Sequence, residues 1–228
     1  MTATKTALII GASRGLGLGL VERLHEEQWN IIATVRDAQN PGEISKLTAV
    51  RIETLEMNDT QQLDALAQRL QGQTLDLLFV NAGVMGPLPQ DLEAVQSHAI
   101  GDLFMTNAVA PIRVASRLVG QLREDTGVLA FMSSILGSIT IPDGSDLPLY
   151  KASKAALNSM INSFLVGLPR QDLAVLAMHP GWVKTAMGGE NAEIDVLTST
   201  RGMLEQIKAQ SGTPGLRFIN YKGETLTW

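Results

Sequence analysis

No cysteine occurs among the 228 residues. That excludes a disulfide scaffold, Cys-ligated zinc and thiol catalysis together. Charge is sparse as well: charged residues make up 18% of the chain and hydrophobic residues 45%, a balance that excludes intrinsic disorder. Glycine and proline are spread too thinly for a low-complexity chain. A basic excess is missing, since 18 Lys and Arg face 23 Asp and Glu for a net charge of −5. A general binder of nucleic acid or of anionic membranes carries the opposite balance, so neither is an expected partner. No apolar run reaches the length of a membrane-spanning helix. Lys5 and the apolar run after it resemble a secretory leader only until Arg14 and three close glycines interrupt it, and no small-residue cleavage site follows. A soluble, cytoplasmic protein is the expectation. His25, His98 and His179 are too far apart for a metal-ligand spacing, and no serine lies in a G-x-S-x-G elbow. A metallohydrolase and a serine hydrolase of that type therefore have no support.

Short apolar runs alternate with helical patterns along the whole chain. Strands are expected at 6–10, 30–35, 50–55, 75–80, 128–132, 173–178 and 216–220. Their continuous apolar character suits strands buried on both faces. Leu16, Leu20 and Leu24 stripe one helix, and Leu63, Leu66, Ala67 and Leu70 another, behind a cap at Asp59. Neither a linker nor an internal repeat divides the chain, so residues 1–228 read as one α/β domain. Its fold class is a doubly wound Rossmann domain with a parallel sheet of about seven strands and helices on both faces. In such a sheet the loops at the carboxyl ends of the strands surround the ligand, and the irregular segments 84–89, 139–148 and 185–197 all follow strands closely.

A glycine-rich turn, Gly11-Ala12-Ser13-Arg14-Gly15-Leu16-Gly17, joins the first strand to the first helix. Gly11 permits the tight turn, Gly15 lets backbone approach a pyrophosphate, and Gly17 lets the helix lie close to the sheet. The exposed amides and the positive end of the helix attract phosphates. Arg36 stands at the end of the second strand, where a dinucleotide's adenosine ribose lies, with Asp37 behind it. Two guanidinium groups, Arg14 and Arg36, around one 2′-phosphate favour NADP(H). The other reading makes both arginines solvated surface charges and Asp37 the ribose ligand of NAD. Further on, Tyr150 and Lys154 are four residues apart. On a helix that interval advances about 6 Å and turns about 40° beyond a full revolution, so both side chains leave one face. A phenol is a poor proton donor at neutral pH unless its phenolate is stabilised. An ammonium about 4 Å away contributes about 4 kcal/mol at an effective dielectric near 20, or roughly three pKa units. Tyr150 is thus the expected general acid, with Lys154 depressing its pKa.

These motifs, taken with Asn81-Ala82-Gly83, Asn107, Ser133-Ser134, Pro180-Gly181 and Thr185, run in an order and spacing that resembles the short-chain dehydrogenase/reductase family. The ending, Phe218 to Trp228, and the segment Ser134 to Ile139 are similar more narrowly to its carbonyl-reductase and C-factor-like branch. The resemblance implies a hydride-transferring oxidoreductase that reduces an aldehyde or ketone with NADPH. It makes Ser134 the substrate-orienting hydroxyl, three residues before Gly137, with Ser133 as runner-up. Lys154 would also bind the nicotinamide ribose, and the Asn107 backbone would hold a relay water. Asn81, Ala82 and Gly83 would lie under adenine and ribose, while Pro180, Gly181, Val183 and Thr185 would meet the nicotinamide end. Sixteen residues separate Ser134 from Tyr150, a few more than usual, which implies a lengthened loop through Asp143 to Asp146. Glu56 stands where the family often has aspartate. Ile135, Leu136, Leu147, Trp182 and Met187 could line an apolar substrate pocket or be plain core. The C-factor likeness also implies an alternative, a nucleotide-binding signalling protein. Finally, the helices near 105–122 and 150–165 are rich in apolar residues. A two-fold homodimer and simple core burial both account for that surface.

Overall fold

The computed structural model describes residues 4–142 and 144–228; Asp143 of the lengthened loop lies outside them. Among the described residues seven strands form one sheet: Thr6–Ile10 (β1), Asn30–Val35 (β2), Val50–Thr54 (β3), Leu77–Val80 (β4), Val128–Met132 (β5), Ala174–His179 (β6) and Gly215–Asn220 (β7). Their order is β3-β2-β1-β4-β5-β6-β7, and every pairing is parallel. The α-helices are Gly15–Glu26 (α1), Thr60–Arg69 (α2), Ser97–Phe104 (α3), Ala110–Leu118 (α4), Pro148–Val166 (α5) and Val196–Gln210 (α6). This is the expected Rossmann-type α/β architecture.

Side chains alternate across each strand and so divide the core in two. Leu8 and Ile10 of β1 face Leu63 and Leu66 of α2, Val114 of α4, and Leu157 and Ile161 of α5. Ala7 and Ile9 face Leu20 and Leu24 of α1 and Met203, Leu204 and Ile207 of α6. Phe131 anchors the first layer and Phe79 the second, both fully buried. Each such side chain contributes about 2 kcal/mol by leaving water.

Two local features show how the elements are bounded. Asp59 caps α2 as its position predicts, its Oδ1 accepting from the Gln61 and Gln62 amides at 2.9 and 3.1 Å. The fourth strand, expected from Leu75, begins at Leu77 instead. Just before it, Leu75 makes only an isolated bridge to Leu122, and the buried Asp76 carboxylate accepts from the Thr6 amide at 2.8 Å and from Arg123 Nε at 2.6 Å at the amino edge of the sheet.

From β1 the chain moves outward through β2 and β3, then crosses back to place β4 on the other side of β1. The connections therefore part above β1 and β4, and a crevice opens at their carboxyl ends. On the α5 side, α3 runs into α4 through a π-helical turn, Met105–Val109. Leu157 and Ile161 of α5 are buried, and Ala156, Met160, Phe164 and Leu165 are half-buried on their own core. Much of the apolar surface of α5 is thus taken up within the chain. No described helix is long and apolar enough to cross a membrane.

Candidate active site

The glycine turn lies over the β1–β4 crevice. Gly11 has φ +83°, and a Cβ there would come within 2.8 Å of the Ala82 Cβ. Its amide donates to Thr34 Oγ1 at 2.9 Å, and its carbonyl accepts from Asn81 Nδ2 at 2.6 Å. The Asn81 side chain is therefore occupied in tying the β4 loop to the β1 loop, which leaves that turn's backbone, through Ala82 and Gly83, to face a ligand. A Cβ on Gly17 would run into the Gly11 carbonyl oxygen, so α1 sits close because position 17 has no side chain. Gly15, at φ +57°, has only Thr185 Cγ2 within 4 Å of where a Cβ would stand, at 3.8 Å. At the start of α1 there is no side-chain cap and no acidic residue in the first turn. Backbone N–H groups and a positive helix end that face open space between Gly15 and Thr185 fit a pyrophosphate. Ser13 and Leu16 flank this opening, Leu16 half-buried against the α1 layer.

At the end of β2, Arg36 is exposed, as is Arg14 in the glycine turn. Asp37 is engaged elsewhere. Its Oδ1 accepts from the Gln39 amide at 2.9 Å and its Oδ2 from Asn40 Nδ2 at 2.8 Å. Those bonds, the Asn40 side chain first, hold the carboxyl below its ordinary pKa. The carboxylate that would have served a ribose is thus committed to its own turn, next to a guanidinium that is free to turn toward a phosphate.

The third part of the site lies beneath the loops after β4 and β5. Ser134, Tyr150 and Lys154 are all buried, at 7%, 9% and 3% exposure, and Asn107 is fully buried. Lys154 Nζ donates to the Met132 carbonyl at 2.8 Å and stands 5.8 Å from the centre of the Tyr150 ring. A Cβ on Gly83 would lie 3.5 Å from Lys154 Nζ and 3.2 Å from Asn107 Oδ1, so these three residues from three elements meet at one point. Asn107 sits in the π turn. Its Oδ1 accepts from the Val84 amide at 2.8 Å, and its Nδ2 donates to the Val84 carbonyl at 2.8 Å and to Ser153 Oγ at 3.0 Å. Its side chain thereby fixes the loop after β4, while its backbone belongs to an irregular helical turn.

The two serines after β5 are distinguished by their partners. Ser133 Oγ donates to Asn158 Oδ1 at 2.6 Å, which removes it from the reaction space. Ser134 instead caps the short turn Ile135–Gly137 by accepting from the Leu136 amide at 3.1 Å, and its hydroxyl lies against the Tyr150 phenol. Asn158, whose Nδ2 donates to the Gly137 carbonyl at 3.3 Å, holds this loop at both ends. Its place on α5, one turn beyond Lys154, was the only sequence signal of that role. Gly137 is needed for the contact, since a Cβ there would lie 3.0 Å from Asn158 Nδ2 and from the Lys154 backbone.

The electrostatics correct one expectation. Burial pushes the Tyr150 phenol up to about 12, opposed only in part by the Ser134 hydroxyl, and Lys154 is not what lowers it. Burial also pulls Lys154 down to about 8. Desolvation outweighs pairing here because both groups are enclosed and the ammonium bonds a carbonyl instead of the phenol oxygen. Between pH 8 and 10.5 the unfolded chain therefore binds more protons at Lys154 than the folded one, so its contribution to stability rises with pH across that window. Below pH 8 the full cost of the buried charge stands, about 3 kcal/mol for the shift. Without cofactor, Lys154→Met is expected to unfold several degrees higher than wild type at pH 7, with the difference shrinking toward pH 10. Parallel thermal melts across pH check this.

The loop after β6 completes the crevice. Gly181 has φ +85°, and a Cβ there would come within 2.7 Å of Ile194 Cδ1. Pro180 presents its carbonyl to Ser199 Oγ at 2.6 Å. Val183 is buried and bridges to Ile194 through the Trp182 carbonyl and the Lys184 amide, while its own carbonyl accepts from Thr185 Oγ1 at 3.3 Å. Thr185 Oγ1 accepts from the Gly188 amide at 3.0 Å. The structure thus gathers at one sheet end the residues that the sequence spreads from Gly11 to Thr185. Around it, Val84, Leu88, Ile139, Trp182 and Met187 are exposed apolar side chains on the loops after β4, β5 and β6.

The family profile described as short chain dehydrogenase matches residues 5–195. A Burkholderia multivorans protein named as a short-chain dehydrogenase/reductase, with bound NADP, superposes with a TM-score of 0.93 at 37% identity, covering 99% of this chain and 100% of that one. A carbonyl reductase from Pseudomonas aeruginosa PAO1 in complex with NADP gives a TM-score of 0.92 at 34% identity, with the same coverage. C-signal of Myxococcus xanthus is 35% identical over 157 residues, 68% of this chain and 93% of that protein.

Proposed function

This chain belongs to the short-chain dehydrogenase family, and on that premise we propose that it reduces a small or medium-sized aldehyde or ketone to the alcohol with NADPH. The observation that carries this reading is the meeting of Ser134, Tyr150 and Lys154 in one buried site beside the glycine-lined crevice. NADPH supplies the hydride that adds to the carbonyl carbon. Ser134 and Tyr150 hydroxyls hold the substrate oxygen, and Tyr150 gives it a proton as the C–O bond becomes single. A phenol held near 12 enters each cycle protonated, and it gives up that proton only as charge develops on the substrate oxygen beside it. The phenolate it leaves keeps the Ser134 hydroxyl as its donor, while Lys154, mostly an ammonium at pH 7, stands 5.8 Å from the ring centre and holds the Met132 carbonyl. The π turn at Asn107 is where this reading puts the water that reprotonates the site, since such a turn interrupts the regular helical ladder beside Lys154.

Cofactor placement follows the same logic. Gly11, Ser13, Gly15 and Leu16 receive the pyrophosphate, Arg14 and Arg36 the 2′-phosphate, and Asn81, Ala82 and Gly83 the adenosine. Lys154 holds the nicotinamide ribose and Pro180, Gly181, Val183 and Thr185 the nicotinamide end. The apolar rim suits an uncharged substrate. NADPH oxidation over a panel of uncharged aldehydes and ketones tests the proposal; wild type without turnover on any of them would overturn it.

The likeness to C-signal favours a second reading, a nucleotide-binding signalling protein. It would bind NADPH without turning over a carbonyl, so the same assay separates the two. Residues 1–228 act as one domain in either case. A two-fold homodimer along α4 and α5 belongs to this reading only if the outer sides of half-buried Ala156, Met160 and Phe164 are covered by a second copy; light scattering at micromolar concentration would then report twice 24.5 kDa, and a monomer there would remove it.

A further inference from the structure

The helix that carries Tyr150 starts without a cap of its own. Leu147, at the capping position of α5, offers no side-chain acceptor. The first turn of a helix leaves N–H groups with no intrahelical partner, and where they are buried something else must meet them. Pro148 has no N–H, and the Lys151 amide already donates to the Leu147 carbonyl at 3.0 Å. Leu149 and Tyr150 remain, and both are buried.

Gln90 meets both from the loop after β4. Its Oε1 accepts from the Leu149 amide at 2.9 Å and from the Tyr150 amide at 3.0 Å. Two donors converging on one atom fix which way the amide faces, and its Nε2 accordingly donates to the Met85 carbonyl at 2.9 Å. Gln90 is itself only 6% exposed, so water does not readily replace it. One amide thus joins the loop after β4, which carries Gly83 and Val84, to the backbone of Tyr150.

We propose that Gln90 is a positioning residue that sets the Tyr150 hydroxyl by capping the first turn of α5 from a distant loop. The proposal rests on Tyr150 being the proton donor. With no acceptor in place, two buried N–H groups would lose their partner, and the first turn would have to fray or tilt to reach water. The phenol hydroxyl lies at the far end of a rigid ring from that backbone, so a small rotation at the amide becomes a larger displacement at the oxygen. Misplacing a reacting group by about 1 Å costs on the order of a hundredfold in rate. Glutamate would keep the acceptor, at the end of the helix that favours negative charge, and its second oxygen, facing the Met85 carbonyl in a buried site, would hold a proton to keep that contact, since a bare carboxylate there would repel it. Leucine would lose both.

Gln90→Leu is therefore expected to lower kcat for carbonyl reduction by about ten- to a hundredfold, with NADPH affinity within about twofold of wild type. Gln90→Glu should recover kcat to within about threefold. Native-state hydrogen exchange should show the Leu149 and Tyr150 amides losing protection in Gln90→Leu and keeping it in Gln90→Glu. Any of three results would overturn the proposal: unchanged kcat in Gln90→Leu, no recovery with glutamate, or continued protection of both amides. Loss of protection throughout the chain, with a matching fall in NADPH affinity, would equally overturn it by marking a general support. Tyr150→Phe run alongside keeps the donor assignment separate, and if that assignment fails the exchange measurement alone decides the role of Gln90.

Discussion

Tyr150→Phe is expected to lower kcat for NADPH-dependent carbonyl reduction by about a hundred- to ten-thousandfold, the range a positioned general acid supplies. NADPH affinity should stay close to wild type. The substitution removes one oxygen from a ring that is already buried, so the packing of α5 against the loop after β5 is preserved. Loss confined to kcat, with cofactor affinity retained, would mark an interaction made in the transition state. Ser134 lies against the same oxygen and remains in the variant to orient the substrate, so residual turnover above background is expected. Near wild-type kcat in Tyr150→Phe would remove Tyr150 from the mechanism.

Arg36→Ala should weaken NADPH binding by roughly ten- to a hundredfold, the effect of losing one charge-assisted hydrogen bond or two. NADH has no 2′-phosphate, so its affinity should change little and the preference between the two should narrow. Because Arg36 is exposed, added salt should reduce the difference. The alternative, with Asp37 as ribose ligand, forecasts a wild type that prefers NADH and an Arg36→Ala variant with no effect. The Asp37 turn argues against it, since both carboxylate oxygens are engaged by Gln39 and Asn40. Equal weakening of both cofactors would refute a phosphate clamp and assign Arg36 a structural role. Titration of both cofactors against both proteins distinguishes these outcomes.

The features legible in the sequence were those written in neighbouring residues. A doubly buried parallel strand is an unbroken apolar run, so β1, β2 and β5 were found with their bounds intact. Asp59 ahead of α2 carries its own instruction, because a capping carboxylate bonds amides two and three residues on. Long-range partnerships left no such trace. That Asp76 meets Arg123 across 47 residues was not written locally, and that Ser133 is withdrawn while Ser134 is not depends on Asn158. The pKa expectation failed for a related reason. Spacing shows that Tyr150 and Lys154 share a helix face, but the direction of their shifts depends on how completely other elements enclose them. Gln90 was invisible for both reasons, being a polar residue in an irregular loop whose partners lie on another element.

The strand order also has a consequence in time. Ala7 of β1 pairs with Ile31 of β2 on one side and with Leu77 of β4 on the other. At about 5–20 residues per second β4 emerges several seconds after β2, so until then one edge of β1 has no partner strand available. That edge is Thr6–Ile10, apolar on both faces, with no charge or proline to discourage pairing with another chain. Arrival of β4 both covers the edge and brings Asn81 to the Gly11 carbonyl. Covering that edge of β1 and forming the crevice above β1 and β4 therefore depend on the same strand pairing.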